Sequence, residues 1–166
     1  MNIARLYQSR HCSVIAALLL VLAAIPSALA QTPDAVPSVL TAEQANAAAS
    51  AGKLILIDIR SPDEWKETGV PASGYAISMQ QKRADFLAGL EKATGGVKSR
   101  HIALICATGS RSSFLSGWLK SYGYTRISDV SEGMMGGRNG KGWIKTGLSV
   151  RKWAPGKTAP EQSGKH

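Results

Sequence analysis

The chain has 166 residues, 44% of them apolar, and a formal charge of +9 from 20 Lys and Arg against 11 Asp and Glu. That length bounds it to about one domain, with a core large enough to fold without disulfide or metal staples. The basic residues (among them Lys66, Lys82, Arg100, Lys120, Arg126, Arg138) are scattered and form no stripe interleaved with aromatics, which argues against a nucleic-acid partner and leaves solubility and a mild attraction for small anions.

Residues 1–30 read as a secretory signal. Arg5, Arg10 and His11 make a basic start, Val14 to Ile25 is an unbroken apolar run of 12 residues, and Ala28-Leu29-Ala30 is a small-x-small cleavage site after Pro26. The run is short for a spanning helix, which needs about 20 apolar residues; an uncleaved N-terminal anchor is the alternative. No lipidation site follows the run, and Cys12 leaves with the signal. The mature chain then has 136 residues, a charge of +7 and one cysteine, with no stable membrane insertion expected after cleavage. The expected location is outside the cytoplasm, in the bacterial periplasm. Exported proteins usually pair their cysteines, so a single thiol there signals intermolecular pairing or a reactive site.

Residues 31–37 form a leader, with Gln31 to Leu40 reading as leader or short edge strand. Thr41 followed by Gln44 is a capping-box pattern opening an Ala-rich helix to about Ala51, closed by Gly52. Lys53 to Ile59 is a continuous apolar run ending in Asp58-Ile59, the pattern of a strand covered on both faces. Ser61-Pro62-Asp63-Glu64 starts a second, short helix. Tyr75 to Ser78 reads as a short strand, Ala84 to Ala93 as a helix burying Phe86, Leu87 and Leu90, and His101 to Ile105 as the next strand. Ser112 to Tyr122 is a helix with Phe114, Leu115, Trp118 and Leu119 on one side, and Thr125 to Val130 a last short strand. Trp143 and Ile144 anchor a terminal helix or turn in the Gly-rich stretch Gly133 to Gly147. The domain is expected over 38–150, with a flexible tail over 151–166, where Lys, Pro and Gly dominate. Strands alternating with helices predict an α/β fold with a mostly parallel sheet, whose ligands bind beyond the carboxyl ends of the strands. Asp58 and Cys106 lie at such ends.

Cys106-Ala107-Thr108-Gly109-Ser110-Arg111 follows the run Ile102 to Ile105 directly. A thiol on a loop opening a helix meets unpaired N–H donors and a partial positive charge, which favour thiolate and hold anions or charged sulfur. Competing constellations fail on counting. A Cys–His hydrolase needs an imidazole near the thiol, yet His101 would sit on the order of 16 Å up the strand. A Cys-rich zinc site is excluded by one cysteine. Gly136 to Gly142 resembles a phosphate loop, but Met135 and Gly142 stand where Gly and Ser or Thr are required, so it reads as a flexible turn beside the active loop. Met134 and Met135 are expected to pack rather than bind copper. Asp58 and Arg60 read as a structural tie, and Trp65, Trp118 and Trp143 as core.

Taken in order, Asp58-Ile59-Arg60, Glu64-Trp65, Gly69 to Ile77, Cys106 to Arg111, and Gly136-Gly137 with Trp143 resemble a single rhodanese-like (sulfurtransferase) domain over about residues 38–150. The resemblance implies a mostly parallel five-stranded sheet with helices on both faces. It implies a sulfurtransferase that takes sulfane sulfur from thiosulfate, polysulfide or a persulfide onto Cys106 and passes it to a thiol, cyanide or a protein acceptor. Cys106 would be the catalytic nucleophile; Ala107, Thr108, Gly109, Ser110 and Arg111 would bind the substrate, their amides cradling the sulfur and Arg111 attracting an anionic donor. No cofactor or metal is called for. Cysteine-dependent phosphatases have five residues between Cys and Arg; here there are four, a tighter loop suited to sulfur. A sulfur-binding or partner-docking domain without turnover, and a thiol-dependent arsenate or phosphate enzyme, are the alternatives. The sequence departs from the family at Val70, where His is common, at Ala107-Thr108, where a basic residue often sits, and in the longer spacing from Gly137 to Trp143.

Overall fold

A computed structural model describes residues 37–160. The signal expected over 1–30, and the leader up to residue 36, lie outside the described residues.

The elements run β1 (Val39–Leu40), α1 (Ala42–Ser50), β2 (Ile55–Asp58), α2 (Pro62–Thr68), β3 (Val70–Pro71), β4 (Gly74–Ala76), α3 (Arg83–Thr94), β5 (Ile102–Ile105), α4 (Ser110–Ser121), β6 (Ile127–Val130), α5 (Gly142–Lys145) and β7 (Val150–Arg151). Both expected capping boxes form. Thr41 and Gln44 exchange bonds at the start of α1, and Ser61 and Glu64 do so at the start of α2, satisfying N–H groups that a helix start otherwise leaves orphaned.

Five strands make one parallel sheet in the order β1-β6-β5-β2-β4, with β5 at the centre. Alternate residues of the central strands feed opposite faces. Ile57, Ile102 and Leu104 pack under α3 and α4 with Phe86, Leu90, Leu115 and Leu119. Leu56, Ala103 and Ile105 pack under α1 and α5 with Ala42, Ala45, Met134 and Trp143. The sheet is thus covered on both sides, which is why β2 and β5 read as continuous apolar runs.

Two local expectations are corrected. Phe114 is 70% exposed; α4 turns Leu115, Leu119 and half-buried Trp118 inward instead. Of the tail expected over 151–166, the described residues 151–160 do not run free, while 161–166 lie outside the described residues. β7 pairs antiparallel with β3, Trp153 stacks on Trp65 with ring centroids 5.4 Å apart, and the Ala76 amide donates to the Thr158 carbonyl at 2.8 Å. This segment covers a third apolar cluster, Trp65, Val70 and Ala76, beside the outermost strand. Leaving that edge bare would expose indole surface and unpaired strand amides.

Candidate functional site

Cys106 ends β5, and the chain turns at once into α4. Gly109 makes the turn, with φ +94°, a left-handed conformation that side chains rarely adopt. A Cβ there would also sit 2.1 Å from the Ser131 carbonyl oxygen, so the loop lies flat against the 131–135 segment. Amides of that segment complete the seat: Met134 N–H donates to the Cys106 carbonyl at 2.8 Å and Met135 N–H to the Ala107 carbonyl at 2.9 Å.

The thiol is 1% exposed and contributes to the α3–α4 side of the core. It is not surrounded by hydrocarbon alone. Among the amides of residues 107–111, that of Gly109 donates to Sγ at 3.2 Å, and the Ser112 hydroxyl stands 3.4 Å from it. Ser112, fully buried in the first turn of α4, also donates to the Gly109 carbonyl at 3.0 Å.

Arg111 reaches back to α2, and its two terminal nitrogens donate to the two Glu64 carboxylate oxygens at 2.9 and 2.6 Å. Both side chains are about one-third exposed. The Arg111 guanidinium, aided by the Ser61 amide, holds the Glu64 carboxyl at about 2, below its usual 4.5. Glu64 in turn raises Arg111, with a smaller contribution from Cys106, so the guanidinium stays charged beside the sulfur. Glu64 therefore caps α2 through Ser61 and anchors the Cys106 loop at once.

Below this pair, Asp58 and Arg60 are both buried, joined by bonds of 3.0 and 3.1 Å from Nε and 2.7 Å from Nη2. Arg60 continues to the Gly69 carbonyl at 2.7 Å and Thr68 Oγ1 at 2.8 Å. Burial pushes the Asp58 carboxyl up, and Arg60 pulls it back down. The Trp65 indole N–H faces the same carboxyl without full hydrogen-bond geometry. The pair ties β2 to the end of α2, the structural role its sequence suggested.

Asp129 was not singled out by sequence. It lies on β6, 7% exposed, opposite Leu104 of β5, and its carboxyl faces Ser112 without full hydrogen-bond geometry. Its Oδ1 has no hydrogen-bond partner among the described residues. A carboxylate inside the otherwise apolar and small-residue strand Ile127–Val130 was the signal available. His101 is remote from this chemistry; its Nε2 bonds Ser128 Oγ at 2.8 Å at the opposite end of the sheet. A cavity of about 750 Å³ lies at the β4 edge, lined by Trp65, Tyr75, Asp85, Lys92, Trp153 and Thr158 among others, and Cys106 is not part of its wall.

The all-parallel sheet with a cysteine loop opening the helix after its central strand is the architecture of the rhodanese-like class, and residues 41–139 match the rhodanese-like domain family. The chain belongs to that family. An uncharacterized protein of Rickettsia prowazekii is 25% identical over 97 residues, 56% of this chain and 79% of the relative. The crystal structure of Rv0390 from M. tuberculosis superposes with a TM-score of 0.53 at 23% identity, over 72% of this chain and all of that one. The polysulfide-sulfur transferase homodimer of Wolinella succinogenes gives 0.51 at 24% identity, over 80% of this chain and 85% of that one. At such identities these likenesses establish the fold.

Proposed function

We propose that the protein is a sulfurtransferase working through a persulfide on Cys106. The observation that carries this is the pair of donors on Sγ, Gly109 N–H and Ser112 O–H, at the N-terminus of α4. Fixed donors around one sulfur stabilise negative charge on it without reorganisation. Thiolate attacks the sulfane sulfur of thiosulfate; the donor's S–S bond breaks and sulfite leaves with the electron pair. Cyanide or a thiolate then attacks the outer sulfur of the persulfide, and the Cys106 thiolate is regenerated. Both half-reactions balance without an external oxidant or reductant.

The four-residue loop between Cys106 and Arg111 supports sulfur over phosphate or arsenate. Polysulfide joins the donors to be tested, since a polysulfide-sulfur transferase shares the fold. The reading of residues 1–30 as a signal adds that this chemistry takes place in the periplasm. The test is release of sulfite, and of thiocyanate when cyanide is supplied, by the wild-type protein and by Cys106→Ser. Turnover in the wild type and none in the variant is expected; turnover surviving in Cys106→Ser contradicts the proposal.

A second reading is favoured by the burial of Cys106 and the engagement of Arg111 with Glu64. The domain would then hold or present sulfur without turnover. Stoichiometric persulfide that is released to no acceptor is its signature.

A further inference from the structure

Ser112 has one proton to give and three acceptors around it. These are Sγ of Cys106 at 3.4 Å, the Gly109 carbonyl at 3.0 Å, and, without full hydrogen-bond geometry, the carboxyl of Asp129 across the contact between α4 and β6. Asp129 is buried, and its Oδ1 is unpartnered among the described residues. An unpaired buried carboxylate oxygen is costly. It is tolerated where the group holds a proton or serves a site.

We infer that Asp129 is a positioning residue for the Cys106 nucleophile, acting through the hydroxyl of Ser112. With its proton on, Asp129 donates to Ser112 Oγ, and the Ser112 proton is free to point at sulfur. With its proton off, Asp129 competes for that same proton and sets a second negative charge near the one forming on sulfur. Burial raises the Asp129 carboxyl above its ordinary value while Ser112 pulls it the other way, so the neutral form persists to higher pH than for an exposed carboxyl. The neighbours leave this exchange to Ser112. β1 sets Val39 and β5 sets Leu104 opposite Asp129, and no charged side chain among the described residues contributes to its titration. On the Cys106 side the charged groups are Arg111 of α4 and, paired to it, Glu64 of α2.

The inference rests on the proposed function only in taking Cys106 as the reactive thiol. Its test therefore reads alkylation of Cys106 rather than sulfur turnover. The rate of Cys106 modification by iodoacetamide, a small uncharged reagent, is followed by mass spectrometry from about pH 5 to about pH 10. Asp129→Asn keeps a donor to Ser112 and never ionises, so its rate profile should rise at lower pH than the wild type, by on the order of one pH unit. Asp129→Leu loses charge and donor together, and its profile should rise at higher pH than that of Asp129→Asn. In a Ser112→Ala background the two Asp129 variants should coincide. Superposition of Asp129→Asn on the wild type overturns the inference. So does coincidence of Asn and Leu variants with Ser112 in place, or a Cys106 that is not alkylated at any pH. A wild type that is alkylated as expected but forms no persulfide from polysulfide refutes sulfur transfer and leaves the role of Asp129 standing.

Discussion

Arg111 and Glu64, 47 residues apart, meet in a two-pronged ion pair that joins the Cys106 loop to the first turn of α2. A carboxyl held at about 2 instead of 4.5 adds stability that is complete above about pH 4.5 and drains away as pH falls through about 2. Glu64→Gln should cost about 1 kcal/mol at neutral pH, the modest value expected for a partly solvated pair. The difference from wild type should shrink as pH falls across that window. Urea denaturation at several pH values measures it, and a difference independent of pH would refute this role.

The pair beneath it should behave differently. Arg60→Ala leaves the buried Asp58 without its three side-chain bonds, and stranding a buried charge costs about 3–5 kcal/mol. Denaturation should show that loss, while the fraction still folded keeps a Cys106 that takes up sulfur. Loss of sulfur uptake by fully folded Arg60→Ala would instead make Arg60 part of the chemistry.

Gly109→Ala should be disproportionately damaging for one methyl group. It asks a side chain to adopt φ +94° and to stand 2.1 Å from the Ser131 carbonyl oxygen. A cost of at least about 2 kcal/mol is expected, together with slower sulfur uptake as the Gly109 amide leaves Sγ. An unchanged melting temperature and rate would show that the loop is not held as described.

Trp153→Ala tests whether the chain beyond Val150 belongs to the domain. Trp153 is half-buried on Trp65, so truncation should cost about 1–3 kcal/mol. The Trp65 emission should shift toward that of a solvated indole. A variant as stable as wild type, with unshifted emission, would place this segment outside the cooperative unit.

Local signals carried most of the fold. Thr41 with Gln44 and Ser61 with Glu64 marked two helix starts because a capping box is complete within four residues. The runs at Ile55–Asp58 and Ile102–Ile105 declared buried parallel strands because both faces are covered. The Cys106 loop was legible for the same reason: a strand end, a glycine and a helix start are adjacent in sequence. What stayed hidden depends on contacts far apart along the chain. β3 and β7 are two residues each and exist by pairing with one another. Phe114 stands one turn before Trp118 as Leu115 does before Leu119, and only the placement of α4 on the sheet decides which of them is buried. Arg111 carried a clear motif position, but that it grips Glu64 rather than standing free follows from the docking of α2 beside α4. Asp129 showed locally only as a carboxylate within an apolar and small-residue strand, and its proximity to Ser112 arises from packing between α4 and β6.

The most direct measurement is the intact mass of the protein after exposure to thiosulfate or polysulfide, with the modified residue located by fragmentation. A gain of one sulfur on Cys106, removed by cyanide or a thiol and absent from Cys106→Ser, is the predicted result. An unchanged mass with every donor, or added sulfur that persists in Cys106→Ser, would contradict the account.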